Sequence, residues 1–242
     1  MIERGAADYA ELGLSQIYKM SDSEIRETKK KLADRGLVPE TSNSFFGNMR
    51  MCGEVYDAKK ISEYSKKALY KAAQFGIHTS VLGNGSARRI PEGANREECM
   101  RQIEETFYTA GSAAAEFGTV IVIEPLNSNE TNVITTVAEG AKLCRKLNHP
   151  NVKLLADIFH MSVEDESFDS IIKNADIIKH IHIAAPKTRN FPSEAETEYY
   201  NKLKDALKKA NYDLRISIEG GYSEDFLPGA NKSLEFLKKI FK

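Results

Sequence analysis

A chain of 242 residues, 41% hydrophobic and 29% charged, has the size and composition of a globular protein rather than of a disordered or fibrous one. With 34 Lys and Arg against 35 Asp and Glu, a net charge of −1 provides no basic field for a nucleic-acid partner. No apolar run approaches the ~20 residues of a membrane span, the first residues lack a basic and apolar leader, and three cysteines without paired spacing read as reduced thiols, so the expected location is the cytoplasm.

Residues 1–6 suggest a helical remnant too short for a full strand–helix unit, and residues 9–14 a brief strand. Ser21-Asp22-Ser23-Glu24 is a helix start, with Ser21 as cap and Glu24 in the box position. The helix runs to about residue 34 and stops at Gly36. Residues 37–42 form the next strand, and Phe45-Phe46-Gly47 opens a loop. Residues 58–75 alternate apolar and charged side chains at helical spacing up to Gly76, then 77–82 read as a strand followed by a glycine-rich turn at 83–86. A long helix spans 96–117.

The second half repeats the grammar. Residues 119–124 are a nearly unbroken β-branched run, as a strand buried on both faces requires. Helix follows at 133–147, strand at 152–157, short helix at 168–174 and strand at 177–184. A helix at 193–210 carries Ser193 as cap and Glu196 in the box position; strand 214–219 and helix 233–241 close the chain. Unbroken alternation of this kind predicts parallel βαβ units in one domain, residues 1–242.

An open doubly wound sheet would need a glycine-rich phosphate turn after the first strand, and LGLSQIY is not one. A barrel predicts polar functional residues at the C-terminal ends of several strands. Glu124 in VIVIEPLN, Asp157 after the run 152–156, His182 in IKHIHIA and Glu219 in ISIEGG hold that position, spaced 33, 25 and 37 residues apart. The expected fold is therefore an α/β, TIM-type (β/α)8-like barrel. Only seven strands are identifiable, so the first β-strand unit is lacking and strands 9–14 and 214–219 face each other with unpaired edges.

Two glutamates, an aspartate and a histidine form a mixed oxygen and nitrogen donor set. It suits Mn²⁺ as first choice, with Mg²⁺, Co²⁺ or Zn²⁺ as alternatives, and leaves room for substrate oxygens; a structural zinc site would favour cysteine. One acidic strand end is usually a solvated or capping carboxylate, but four in phase predict a shared ion.

The motifs IEPLN, DIFHM, HIHIA and SIEG resemble the xylose-isomerase-like barrel superfamily of sugar isomerases and epimerases, and most of all its ketose 3-epimerases of the D-tagatose and D-psicose type. The likeness covers most of the chain from about Gly5. It implies that Glu124, Asp157, His182 and Glu219 hold the metal, that Glu124 and Glu219 are also the catalytic acid/base pair, and that Glu130 and His160 contact substrate. It also implies an arginine shortly after the histidine ligand, and Arg189 stands there. The residues usual before that arginine are replaced by Ala185-Pro186-Lys187-Thr188.

The expected reaction is metal-dependent ketose epimerisation or isomerisation, by proton abstraction beside a carbonyl through a metal-stabilised enediolate. Epimerisation needs a base on each face of the carbon, which two glutamates from separate strands can supply. The alternatives are an aldose–ketose isomerase of a small hydroxy-carbonyl such as hydroxypyruvate, an inositol-ketone enzyme, or a degenerate sugar-binding barrel without turnover. A DNA-repair branch of the superfamily, with more histidines and a basic groove, does not match five histidines and a charge of −1. Family habit and exposed edges predict a homo-oligomer, dimer or tetramer.

Among the other candidates, His180 shares a strand face with His182 one layer deeper and reads as a hydrogen-bonded interior residue. His78 and His149 read as structural. The loop 83–89 is either an anion cradle or a plain turn with solvated arginines. With no tryptophan, the apolar wall against a sugar falls to Phe45, Phe46 or Phe159.

Overall fold

Seven short segments, the later ones rich in apolar and β-branched side chains, pair side by side in a computed structural model that describes residues 7–222 and 225–242. The expected remnant at residues 1–6 lies outside the described residues. In chain order the elements are β1 (Ala10–Gly13), α1 (Leu14–Ile17), α2 (Asp22–Ala33), β2 (Pro39–Asn43), α3 (Ala58–Phe75), β3 (Thr79–Leu82), α4 (Gly85–Arg88), α5 (Arg96–Glu116) and β4 (Val120–Ile123). There follow α6 (Val137–Leu147), β5 (Val152–Asp157), α7 (Ile158–Val163), α8 (Asp169–Lys173), β6 (Ile178–Ile183), α9 (Thr197–Lys209), β7 (Ile216–Ile218) and α10 (Phe226–Phe241). The strands are all parallel and ordered β1 through β7 in sequence, which brings their C-terminal ends to one rim.

Side chains alternate across each strand, so each strand has an inward and an outward set. Ile121, Ile123, Leu154, Ala156, Ile181 and Ile183 point outward into the main core, beneath the helices. Val81, Val122 and Leu155 form a separate small cluster inside the barrel. Two residues further along their strands, Val122 and Leu155 give way to Glu124 and Asp157. In β6 and β7 the same inner register carries His180 then His182, and Ser217 then Glu219. The barrel interior is thus apolar on one side and polar on the other, one layer below the rim. On the outside, α6 closes against β5 because position 140 is glycine: a Cβ there would stand 2.6 Å from Leu154 Cδ1.

Several boundaries differ from expectation. The first strand ends at Gly13, and Leu14 begins a helical turn. The glycine-rich stretch after β3 starts the short helix α4 instead of a bare turn. β5 runs directly into α7, with Asp157 as its cap. α6 starts at Val137 under a Thr136 cap. The Ser193–Glu196 capping box closes a 3-10 turn, Glu194–Glu196, before α9 begins. α10 starts at Phe226 and takes Pro228 and Gly229 into its first turn, where a proline costs no helical hydrogen bond.

Among the described residues β1 and β7 are the sheet's two edges, with no backbone ladder joining them. Side chains cross this seam instead. Tyr9 Oη and Ser217 Oγ lie 2.6 Å apart, and Ser217 Oγ donates to Glu11 Oε2 at 2.9 Å. Arg215 donates two 2.7 Å bonds to Glu40. A cleft of about 550 Å³, lined by Leu37, Leu214, Ile216 and Leu237 among others, follows the seam. No described helix is long and apolar enough to cross a membrane, and Cys52, Cys99 and Cys144 are buried free thiols.

Candidate metal centre

The rim positions of β4 to β7 converge on His182. Its Nδ1 lies 3.1 Å from Glu124 Oε1, 3.4 Å from Glu219 Oε2 and 3.9 Å from Asp157 Oδ2. One ligand atom from each of these four residues falls within 4.8 Å of the others, the size of a single ion's coordination sphere. Each side chain is placed by its strand register, and two are fixed further. Asp157 Oδ1 accepts the His160 N–H at 3.0 Å as the cap of α7, which turns Oδ2 into the centre. Glu124 occupies space that only a glycine neighbour leaves open, since a Cβ on Gly83 would stand 1.6 Å from Glu124 Oε2.

The donor set fits a divalent cation on the structure's own terms. Asp157 Oδ2 is buried without a hydrogen-bond partner, an arrangement that costs free energy unless a cation compensates it. Burial, and then the charge of Glu219, push the Glu124 carboxyl up to about 7. Asp157 is raised to about 6 by burial and by Glu219, against the pull of His182. Burial also acts on Glu219, but His182 and Arg189 outweigh it and hold that carboxylate below its usual range.

A second group of side chains faces the centre from the loops. Arg189 donates to Glu130 Oε1 at 2.8 Å and to Glu219 Oε2 at 3.2 Å, and its guanidinium lies 5.1 Å over the Phe159 ring. Its backbone is anchored by the Gly221 N–H, which donates to Arg189 O at 2.7 Å. His160 is buried in α7. Its Nδ1 is 2.7 Å from Asn127 Nδ2 and its Nε2 3.5 Å from Arg189 Nη2. Burial and the neighbouring Arg189 push the imidazole down to about 3, so it is neutral and its Nδ1 accepts from Asn127.

All seven residues singled out in the sequence therefore gather at this rim. Three more residues at or beneath it went unnoticed. Asn127, three residues after Glu124, donates to Glu130 Oε1 at 3.2 Å while holding His160. Asn43, at the C-terminal end of β2, donates to Glu219 Oε1 at 3.3 Å. Glu11, two residues before the end of β1, lies 3.1 Å from His182 Nε2. Of the candidate aromatic walls, Phe45 and Phe46 are buried in the core, packing on Tyr64, which leaves Phe159. Of the arginines of the 83–89 loop, Arg89 donates to Asn129 O, and the fully buried Arg88 donates from Nη2 to Ile134 O while its Nε and Nη1 meet no acceptor among the described residues.

A parallel α/β barrel with acidic and histidine side chains at consecutive strand ends defines a class, and the family model "Xylose isomerase-like TIM barrel" matches residues 3–240. The chain belongs to that family. It is 24% identical over 237 residues to the 3-dehydro-D-guloside 4-epimerase of Escherichia coli (strain K12), covering 91% of this chain and 86% of that protein. It is 25% identical over 229 residues to the D-psicose 3-epimerase of Agrobacterium fabrum (strain C58), covering 88% and 74%. Proteins named hydroxypyruvate isomerase and 2-oxo-tetronate isomerase match as well. A crystal structure of D-psicose 3-epimerase in the presence of D-fructose superposes with a TM-score of 0.85 at 22% identity, over 99% of this chain and 92% of that one, which supports the fold.

Proposed function

We propose that the protein is a divalent-metal-dependent sugar epimerase or isomerase, acting on a ketose by moving a proton beside the carbonyl. One observation carries it: Glu124 and Glu219, from strands separated by β5 and β6, approach the same His182 nitrogen at 3.1 and 3.4 Å in a partly buried centre. Glu124, Asp157, His182 and Glu219 would hold the ion, with Mn²⁺ the first candidate. When bound, the ion supplies positive charge that stabilises an enediolate's negative charge.

The protein's own groups account for the remaining steps. Glu219 is kept ionised by Arg189 and by the Asn43 amide, so its carboxylate is ready to accept a proton from the carbon next to the carbonyl. Glu124, which reaches the centre from β4 while Glu219 reaches it from β7, would return a proton to the opposite face of that carbon. Arg189 and Glu130 form a pair of opposite charges that orients substrate hydroxyls, and neutral His160 presents Nε2 toward them. Phe159 supplies an apolar face. The enzyme is further proposed to be one domain over residues 1–242, cytoplasmic and homo-oligomeric, in keeping with free buried cysteines and unpaired sheet edges.

Incubation with Mn²⁺ and trial ketoses in D₂O tests the proposal. Deuterium entering at C3 is expected for a 3-epimerase, and Glu124→Gln and Glu219→Gln should each slow exchange about 10²–10⁴-fold. If the purified protein binds no divalent ion and both variants behave as wild type, the proposal fails. Exchange at the hydroxymethyl carbon of a short hydroxy-acid ketone such as hydroxypyruvate, with none at C3 of the trial ketoses, would instead favour the aldose–ketose isomerase. That alternative is supported by the Arg189 guanidinium, suited to a substrate carboxylate, and by the isomerase relatives. Sugar binding without exchange would mark a non-catalytic barrel.

A further inference from the structure

A histidine offers only one nitrogen to an ion, and which one it offers is set by what the other nitrogen bonds to. His182 has both nitrogens engaged by acids, on opposite sides. Nδ1 faces the three rim carboxylates. Nε2 faces downward into the barrel, where Glu11 Oε1 lies 3.1 Å away. The contact has hydrogen-bond length but the N–H does not point along it, so Nε2 is a buried donor still lacking an aligned acceptor.

Glu11 is itself held rigidly. Its Oε2 accepts from Thr41 Oγ1 at 2.8 Å and Ser217 Oγ at 2.9 Å, and lies 3.0 Å from His180 Nε2. Three donors fix one oxygen, and the fixed carboxylate aims the other at His182. These contacts come from β2, β6 and β7, so the carboxylate on β1 is placed by the barrel and not by a mobile loop.

We propose that Glu11 is a positioning residue for the metal centre: its Oε1 accepts a hydrogen bond from the Nε2–H of His182 and thereby keeps the Nδ1 lone pair turned toward Glu124, Asp157 and Glu219. This rests on the metal-dependent function proposed above. Glu11, His180 and His182 are also close enough to ligate an ion of their own. A support fits better. A second ion would need His182 as a bridging ligand stripped of both ring protons, and the Glu11 oxygen nearest His180 is already saturated with donors.

Free Mn²⁺ measured by electron paramagnetic resonance, during titration of wild type, Glu11→Gln and Glu11→Asp, tests the role directly. Wild type should bind one ion per chain. Both variants should bind about 10–100-fold more weakly, with an unchanged far-ultraviolet circular dichroism spectrum. A Glu11→Gln protein that folds and binds Mn²⁺ as tightly as wild type overturns the role of Glu11 alone. Two ions per wild-type chain, one of them lost in the variants, overturns it in favour of a second site. A wild type that binds no ion overturns the metal centre and the role of Glu11 together. Should the variants fail to fold, nitrogen-15 spectra of zinc-loaded wild type decide: the His182 proton must sit on Nε2, and a proton on Nδ1 overturns the proposal.

Discussion

Gly83 shows how a residue with no chemistry of its own sets the centre's geometry. The Glu124 carboxylate lies where any other side chain at position 83 would begin, so Gly83→Ala must displace either the carboxylate or the strand. The expected cost is about 1–3 kcal/mol of stability, as for other overpacking changes. Weakened binding of Mn²⁺ should accompany it, and thermal melts with and without the ion measure both. The four rim residues Glu124, Asp157, His182 and Glu219 were legible in the sequence because each ends an apolar strand, and a polar residue there interrupts the pattern conspicuously. Glu11 and Asn43 were not, because β1 and β2 are themselves polar: in AELG and PETSN no inner register stands out. Arg189 was legible as a residue, whereas its clamp between Glu130 and Glu219 depends on the 185–191 loop folding back toward Gly221, which no local pattern announces.

The helices divide by how strongly their ends are marked. At α2 the Ser21 hydroxyl accepts from the Glu24 N–H at 3.3 Å, and the Glu24 carboxylate accepts from the Ser21 N–H at 2.7 Å, as the sequence pattern required. Ser21→Ala should lower stability by about 1 kcal/mol in urea denaturation. Activity should be unchanged, since α2 lies on the outer layer away from the rim. α7 had no such mark. Its apolar residues Ile158, Phe159 and Met161 continue the run of β5, and short apolar runs do not distinguish strand from helix. The turn depends on Asp157, a single side chain that caps the helix with one oxygen and faces the rim with the other. At α10, Pro228 and Gly229 look like breakers, and the extension to Phe226 is favoured by Phe191, whose ring centroid lies 5.7 Å from that of Phe226.

For the whole molecule, the seven-strand count and the parallel order followed from the alternation of elements, while the manner of closure did not. Closure is a matter of side-chain bonds between residues about 175–210 positions apart, and local patterning has no access to such distances. The Glu40–Arg215 pair is one of them. Arg215, aided by His78, holds the Glu40 carboxyl below its usual range. A depressed carboxyl contributes stability that is present above the unfolded-state value of about 4.3 and lost as pH falls through the lower folded value. A double-mutant cycle of Glu40→Ala and Arg215→Ala should give a coupling of about 0.2–1 kcal/mol at pH 7, falling away as pH drops through the folded-state value of Glu40. A coupling that does not weaken on acidification would contradict the assignment.

Glu11 sits at the junction of two tasks, because the carboxylate that faces His182 also receives the Ser217 hydroxyl from the opposite edge of the seam. On the role proposed for Glu11, assembly of the centre and closure of the barrel share this carboxylate, so an ion that binds only the assembled centre would also favour the closed barrel. At an ion concentration of 100 Kd that linkage amounts to about 2.7 kcal/mol. A cofactor ion would then act as a clasp, and the ring would be held shut by its own active site.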